Sequence, residues 1–250
     1  MYGQGVIKIS GKPINPKQVI VSFTSLSGTN PYELGHFISI WEGRKVLSPS
    51  EALHTKVITA SCEEGQLLFN DLDIGKKEYV IGYGLDGYDG MQTVCATLTL
   101  SAGARIGVIL PANCSDVFVS PDDIGTDFLL AQLAIPFYYQ EKYSFKWIAL
   151  FNGEFNEHMY RGANVMVESI CYIPQNCASI LMTNIPGKLT RFETYTVVHG
   201  IGLDEDGRPD YSKLISYHTF TVWRPQIYMG KSDLIPSITY LNTDQTMLRL

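Results

Sequence analysis

Cysteine is scarce, and so is charge. Five cysteines occur in 250 residues, at Cys62, Cys95, Cys114, Cys171 and Cys177. The number is odd and no Cys-x-x-Cys pair is present. That removes the usual spacing of structural zinc and of thioredoxin-like redox sites. Reduced, mostly buried thiols are the expectation. No run reaches the roughly 18 apolar residues of a membrane-spanning helix. The first residues, Met1 to Lys8, lack a basic segment followed by a long apolar one. No secretory signal is therefore read, and the expected location is the cytoplasm, or beyond it by a route without such a signal. Charged residues make up 18% of the chain, 19 basic and 25 acidic. Residues 1–108 carry 9 basic and 10 acidic side chains, residues 109–222 carry 7 and 13, and the last 28 carry 3 and 2. So acidic a second half offers no cation cluster for phosphate contacts, which argues against nucleic acid and anionic lipid as partners.

The motifs of catalysis are missing too. There is no Gly-x-Ser-x-Gly, no His-Glu-x-x-His, and no glycine-rich loop entering a helix. His36, His54, His158, His199 and His218 lie in contexts that mark none of them as a base. No catalytic residue and no cofactor are expected.

What the chain does have is repetition. Phe37 to Gly43 (FISIWEG) returns as Trp147 to Gly153 (WIALFNG). Tyr79 to Gly84 (YVIGYG) returns as Tyr195 to Gly200 (YTVVHG). Thr97 to Leu100 (TLTL) returns as Thr219 to Val222 (TFTV), and Val19, Val21 and Phe23 match Leu129, Ala131 and Leu133. The offset grows from about 110 to 116 to 122 and changes only between matched segments, as insertions in loops would make it. Short alternating apolar runs separated by Gly, Pro, Asn and Asp predict strands throughout. The chain is thus expected to be all-β, with β-domains over 1–108 and 109–222 and an extension over 223–250. Residues 101–113 contain an apolar run, which predicts a packed connection rather than a loose spacer.

Two local patterns bear a family resemblance. Leu72-Asp-Ile-Gly75 before Tyr79, and Asn184-Ile-Pro-Gly187 before Tyr195, resemble the Leu-x-Pro-Gly-x-x-Tyr corner of fibronectin-III domains. Trp147 to Phe151 resembles the Trp-Ile-Gly-Leu-Phe strand of several immunoglobulin-like modules; the Asp that often precedes it is Lys146 here and His36 in the first half. The resemblance implies two tandem immunoglobulin-like β-sandwiches related by internal duplication. It implies that the tyrosine hydroxyls bond backwards along the chain, and it implies no activity.

Candidate binding residues gather after the Tyr79 and Tyr195 strands. Asp86 and Asp89 sit in one such stretch, Asp204, Glu205 and Asp206 in the other. Carboxylates at Asp204 and Asp206 suit calcium, but Asp-Gly is also what a hairpin turn demands, so both readings stand. The loop after the second strand carries Tyr138 and Tyr139 in the second half and Tyr32 in the first. In an immunoglobulin-like sandwich this loop lies at the same end as the Asp204 loop, which would place aromatics beside carboxylates, as a sugar or protein ligand needs.

Twelve of the last 28 residues are large and apolar, from Trp223 to Leu250, and only five are charged. Leaving several such side chains in water forgoes several kcal/mol, at about 25 cal/mol per Å². That arm is expected to pack on its own domains or on a neighbouring subunit. The function expected is therefore non-enzymatic self-association as a structural protein. The alternative is a carbohydrate- or host-surface-binding module, as in an adhesin or toxin; an enzyme with dispersed catalytic residues is a third class.

Overall fold

The computed structural model describes residues 3–85, 93–134, 146–163, 165–171 and 177–223. Strand β1 (Gly3–Val6) opens the described chain. The first half holds β2 (Lys8–Asn15), β3 (Gln18–Thr24), β4 (Phe37–Glu42), β5 (His54–Val57), β6 (Glu64–Phe69), β7 (Tyr79–Gly84) and β8 (Val94–Leu100). Two short strands, β9 (Leu110–Pro111) and β10 (Asn113–Cys114), lie in the connection. The second half holds β11 (Asp116–Phe118), β12 (Phe128–Ala134), β13 (Lys146–Asn152), β14 (Val165–Cys171), β15 (Cys177–Thr183), β16 (Thr194–Ile201) and β17 (Leu214–Thr221). The protein is all-β, with antiparallel sheets.

Among the described residues four sheets result, ordered β6-β3-β2-β9, β10-β8-β7-β4-β5, β11-β12-β15 and β1-β17-β16-β13-β14. Without the three short strands β1, β9 and β10, one strand order is left, twice over. β6-β3-β2 corresponds to β15-β12-β11, and β8-β7-β4-β5 to β17-β16-β13-β14.

Period-two alternation decides which residues enter the core. Val19, Val21 and Phe23 of β3 turn inward and share one apolar cluster with Ile38, Ile40, Ile81 and Leu98 of the facing sheet. In the second half Leu129, Ala131 and Leu133 meet Ile148, Leu150, Val197 and Phe220. The first cluster runs on into Trp147, Phe151, Val198, Leu214 and Ile215. The second half thus lays one face of its β13–β16–β17 sheet against the first half.

Both tyrosine corners form. The Asp73 amide donates to the Tyr79 hydroxyl at 2.8 Å, and the Thr190 amide donates to the Tyr195 hydroxyl at 2.9 Å. Two aromatic–glycine pairs also recur. Phe37 lies opposite Gly84 and Trp147 opposite Gly200. A Cβ at Gly84 would sit 2.2 Å from the Phe37 ring, and one at Gly200 2.1 Å from the Trp147 indole. Only glycine lets these rings lie flat over the neighbouring strand, where they shield its backbone. Phe37, Trp147, Tyr79 and Tyr195 are all buried.

The last strand is shifted from its expected register. Tyr79 pairs with Leu100 and Tyr195 with Phe220, so these partners correspond at an offset of 120 rather than 122. Cys95 takes the place of Ile215, not Tyr217. Each is the extra residue of a bulge, opposite the Tyr83–Gly84 step in one half and the His199–Gly200 step in the other. A slip of two residues preserves which side chains face inward, so the apolar pattern alone could not reveal it.

The short strands cross between the halves. β10, which leads into β11, pairs with β8: Cys114 lies opposite Ala96 and Asn113 opposite Thr97. β1, which leads into β2, pairs with β17: Val6 lies opposite Ser216 and Gly5 opposite Tyr217. One residue separates each short strand from the next. The amide of that residue donates to the carbonyl of the bulged residue: Ile7 to Ile215 at 3.2 Å, Ser115 to Cys95 at 2.9 Å. The pairing therefore passes the 108/109 division in both directions. β9 pairs with β2, and the Gly107 amide donates to the Pro13 carbonyl at 2.7 Å, so the connection is packed. Of the thiols, Cys95 is buried and Cys114 half-buried, while Cys62 is exposed, contrary to the expectation of burial. The arm expected over 223–250 lies outside the described residues beyond Trp223.

Candidate functional site

A cleft of about 310 Å³ opens between the halves. Glu33, Gly35 and His36 line it from the first half, Asp210, Ser212 and Lys213 from the second. The first wall is the turn between β3 and β4. Leu34 donates its amide to Asn30 and His36 donates to Pro31, while Gly35 takes a positive φ of 64° that closes the turn.

The second wall is a short 3₁₀ turn over Tyr211–Lys213, capped by Asp210. The Asp210 carboxylate accepts from the Ser212 amide at 3.1 Å and from the Ser212 hydroxyl at 2.6 Å. Lys213 reaches its other oxygen at 2.9 Å. Partial burial alone would raise this carboxyl, but the Ser212 and Lys213 contacts outweigh it and hold it below the usual carboxylate range. The cleft therefore presents a fixed, half-buried ion pair.

His36 ends the first wall, and its Nδ1 is 2.7 Å from the Tyr83 hydroxyl. Burial pushes the Tyr83 phenol well above its usual pKa. The second half holds Lys146 and His199 at the corresponding places. Both are buried. Burial, and after it the Lys146 charge, brings His199 down to about 3, so its ring stays neutral. Each half thus carries one basic side chain at the start of its β4-type strand, His36 just before β4 and Lys146 as the first residue of β13, and one polar ring on its β7-type strand. The sequence already placed His199 where the first half has Tyr83. It gave no signal that Asp210, Ser212 and Lys213 would meet residues 33–36, which lie some 175 positions away.

Of the residues expected to bind, Tyr138, Tyr139 and Asp86 lie outside the described residues. Tyr32 stands 57% exposed on the turn that forms the first wall. Asp204 and Asp206 are exposed in the hairpin loop just before the second wall. Asp204 Oδ1 accepts from the amides of Asp206 at 3.0 Å and Arg208 at 2.8 Å, and Gly207 supplies a φ of 76°. Its carboxylate organises the turn. Among the described residues no group of three or more His, Cys, Asp or Glu side chains is placed to hold a metal ion. The structure brings the Tyr32 turn of one half beside residues 210–213 of the other. The meeting expected within the second half involves Tyr138 and Tyr139 and is not described.

In chemical terms the cleft presents the Asp210–Lys213 ion pair on one wall, and on the other a turn whose His36 is buried. Ser212 donates to a carboxylate and the His36 Nδ1 faces a phenol. No protein-family model matches the chain, and no curated protein matches it in sequence.

Proposed function

We propose that this chain is a non-enzymatic structural protein that self-associates, built by internal duplication of an immunoglobulin-like β-sandwich. The observation that carries this reading is the reciprocal addition of β1 to β17 and of β10 to β8. Each half completes a sheet edge with a strand that belongs in sequence to the other. Backbone ladders of this kind are the means by which β-proteins join to one another. Duplication is supported by the shared strand order, the two bulges at one place, and the recurring Tyr corner and aromatic–glycine pair. The apolar sequence of residues 223–250 supports association, because so many large side chains require a surface to cover.

The second reading is a carbohydrate- or host-surface-binding module. It is favoured by exposed Tyr32 on the turn that walls the 310 Å³ cleft. Size-exclusion chromatography with light scattering at several concentrations separates the two. Assemblies that grow with concentration support the structural role. A species of 27.9 kDa at every concentration, with glycan affinity lost in Tyr32→Ala, favours the second.

A further inference from the structure

Strand β10 follows a rule that β1 breaks only because the molecule closes on itself. β10 leads into the second half and pairs with the last strand, β8, of the unit before it. β1 leads into the first half in the same way and with the same register, and it pairs with the last strand, β17, of the unit after it. The second half of another copy offers β1 the same β17 edge. From this relationship we infer that β1 is an exchangeable strand: it joins β17 of a second copy as well as its own, linking copies head to tail. This inference rests on the self-association proposed above and names the surface that carries it.

Three observations make the exchange feasible. First, β1 is weakly held. None of its four residues is fully buried, and two of them, Gly3 and Gly5, lose the most backbone freedom on pairing. Besides the ladder, the bond from Gln4 Nε2 to Asp116 Oδ2 at 2.8 Å ties it down. Segments of this kind open locally at small cost. Second, the vacated edge is specific. Tyr217 lies where a Cβ on Gly5 would come within 2.1 Å of its ring, so the edge accepts glycine at that register and rejects larger residues. A second copy supplies the matching sequence. Third, the junction to β2 is one residue, Ile7, which is buried and whose amide donates to the Ile215 carbonyl, so it travels with β1. The same bonds reform whichever copy supplies β1. Because β1 and β17 are different surfaces, pairing in trans is head-to-tail and leaves a free edge at each end, so it propagates as an open chain.

The test is a cross-link across the pair Gly3–Thr219. A Cβ at Gly3 would lie 3.5 Å from the Thr219 Cβ, within the range a disulfide requires. The double variant G3C/T219C is prepared in ¹⁴N and ¹⁵N forms, mixed at high concentration, oxidised, and digested for mass spectrometry. The expected result is a 3–219 linked peptide with one light and one heavy half, and a ladder on non-reducing gels. Oxidation at high dilution should instead give a locked monomer that no longer assembles when concentrated. Retained assembly of the locked monomer, with 3–219 peptides of one isotope only, overturns the exchange and leaves self-association standing by another surface. A wild-type chain that is monomeric at all concentrations overturns both. Should the cysteine variant misfold, G5V serves instead: it blocks the edge to β1 from any copy, and assembly that survives in it overturns the exchange.

Discussion

The hydroxyl of Tyr195 accepts a hydrogen bond from the Thr190 amide, five residues back, at 2.9 Å, and Tyr79 does the same with Asp73, six back, at 2.8 Å. The two loops differ in length before the tyrosine, yet both end in the same amide-to-hydroxyl bond; the Tyr195 hydroxyl also donates to the Glu193 carboxylate at 3.0 Å. Replacement by phenylalanine keeps the ring and deletes the acceptor. Each variant is expected to lose about 1 kcal/mol. Tyr195→Phe should lose more, since it also removes the hydroxyl's bond to the Glu193 carboxylate at 3.0 Å. Urea denaturation of the two variants checks both the size and the order.

The aromatic–glycine pairs give a stronger expectation. Gly84→Ala and Gly200→Ala each drive a methyl into a buried ring, at 2.2 Å and 2.1 Å. Overpacking of this kind costs roughly 2–3 kcal/mol. At Gly75 the nearest contact is 3.9 Å and the backbone is ordinary, so Gly75→Ala is the control. It should leave the denaturation midpoint within experimental error or raise it slightly.

His199 sets an acid limit. Its ordinary pKa is 6.5 and the fold holds it at about 3. Neither ring nitrogen has a hydrogen-bond partner among the described residues. The unfolded chain therefore binds a proton that the folded chain refuses. The stability this gives is complete above pH 6.5 and is lost as pH falls from there toward 3, by about 1.4 kcal/mol per pH unit. His218 is shifted the same way, its burial outweighing the pull of Asp116. Denaturation at pH 7.5, 6 and 5 should show falling stability. In His199→Tyr, which copies Tyr83, the slope should be shallower.

At the Asp204 loop the turn and calcium readings give opposite results. Asp204 spends its Oδ1 on two backbone amides. Asp204→Ala should cost about 1 kcal/mol, and millimolar Ca²⁺ should leave the melting temperature of the wild type unchanged. A Ca²⁺-dependent rise that disappears in Asp204→Ala with Asp206→Ala would establish a metal site.

Much of the fold was legible in the sequence because strands alternate with a period of two. Val19, Val21 and Phe23, like Leu129, Ala131 and Leu133, declare both their strand and their buried face. β1 was not legible. Gly3-Gln-Gly-Val6 has no apolar alternation, and its partner β17 lies more than 200 residues away. β2 was hidden by Gly11 and Pro13, which usually interrupt a strand. Pro13 is accommodated next to a register shift. The cleft was invisible for the same reason as β1: its walls come from opposite ends of the sequence. Asp204 was legible as a turn by its Asp-Glu-Asp-Gly context, and its neighbours Asp210 and Ser212 were not, since their pairing depends on a cap that only the folded loop creates.

The reciprocal pairing is tested most directly by nuclear Overhauser contacts in a deuterated, amide-protonated sample. Cross-strand contacts are expected between β1 and β17 around Gly5 and Tyr217. The same set is expected between β10 and β8 around Asn113 and Thr97, whichever copy supplies β1. Contacts for β10 with none for β1, or contacts from β1 to any strand other than β17, would contradict the reciprocal pairing.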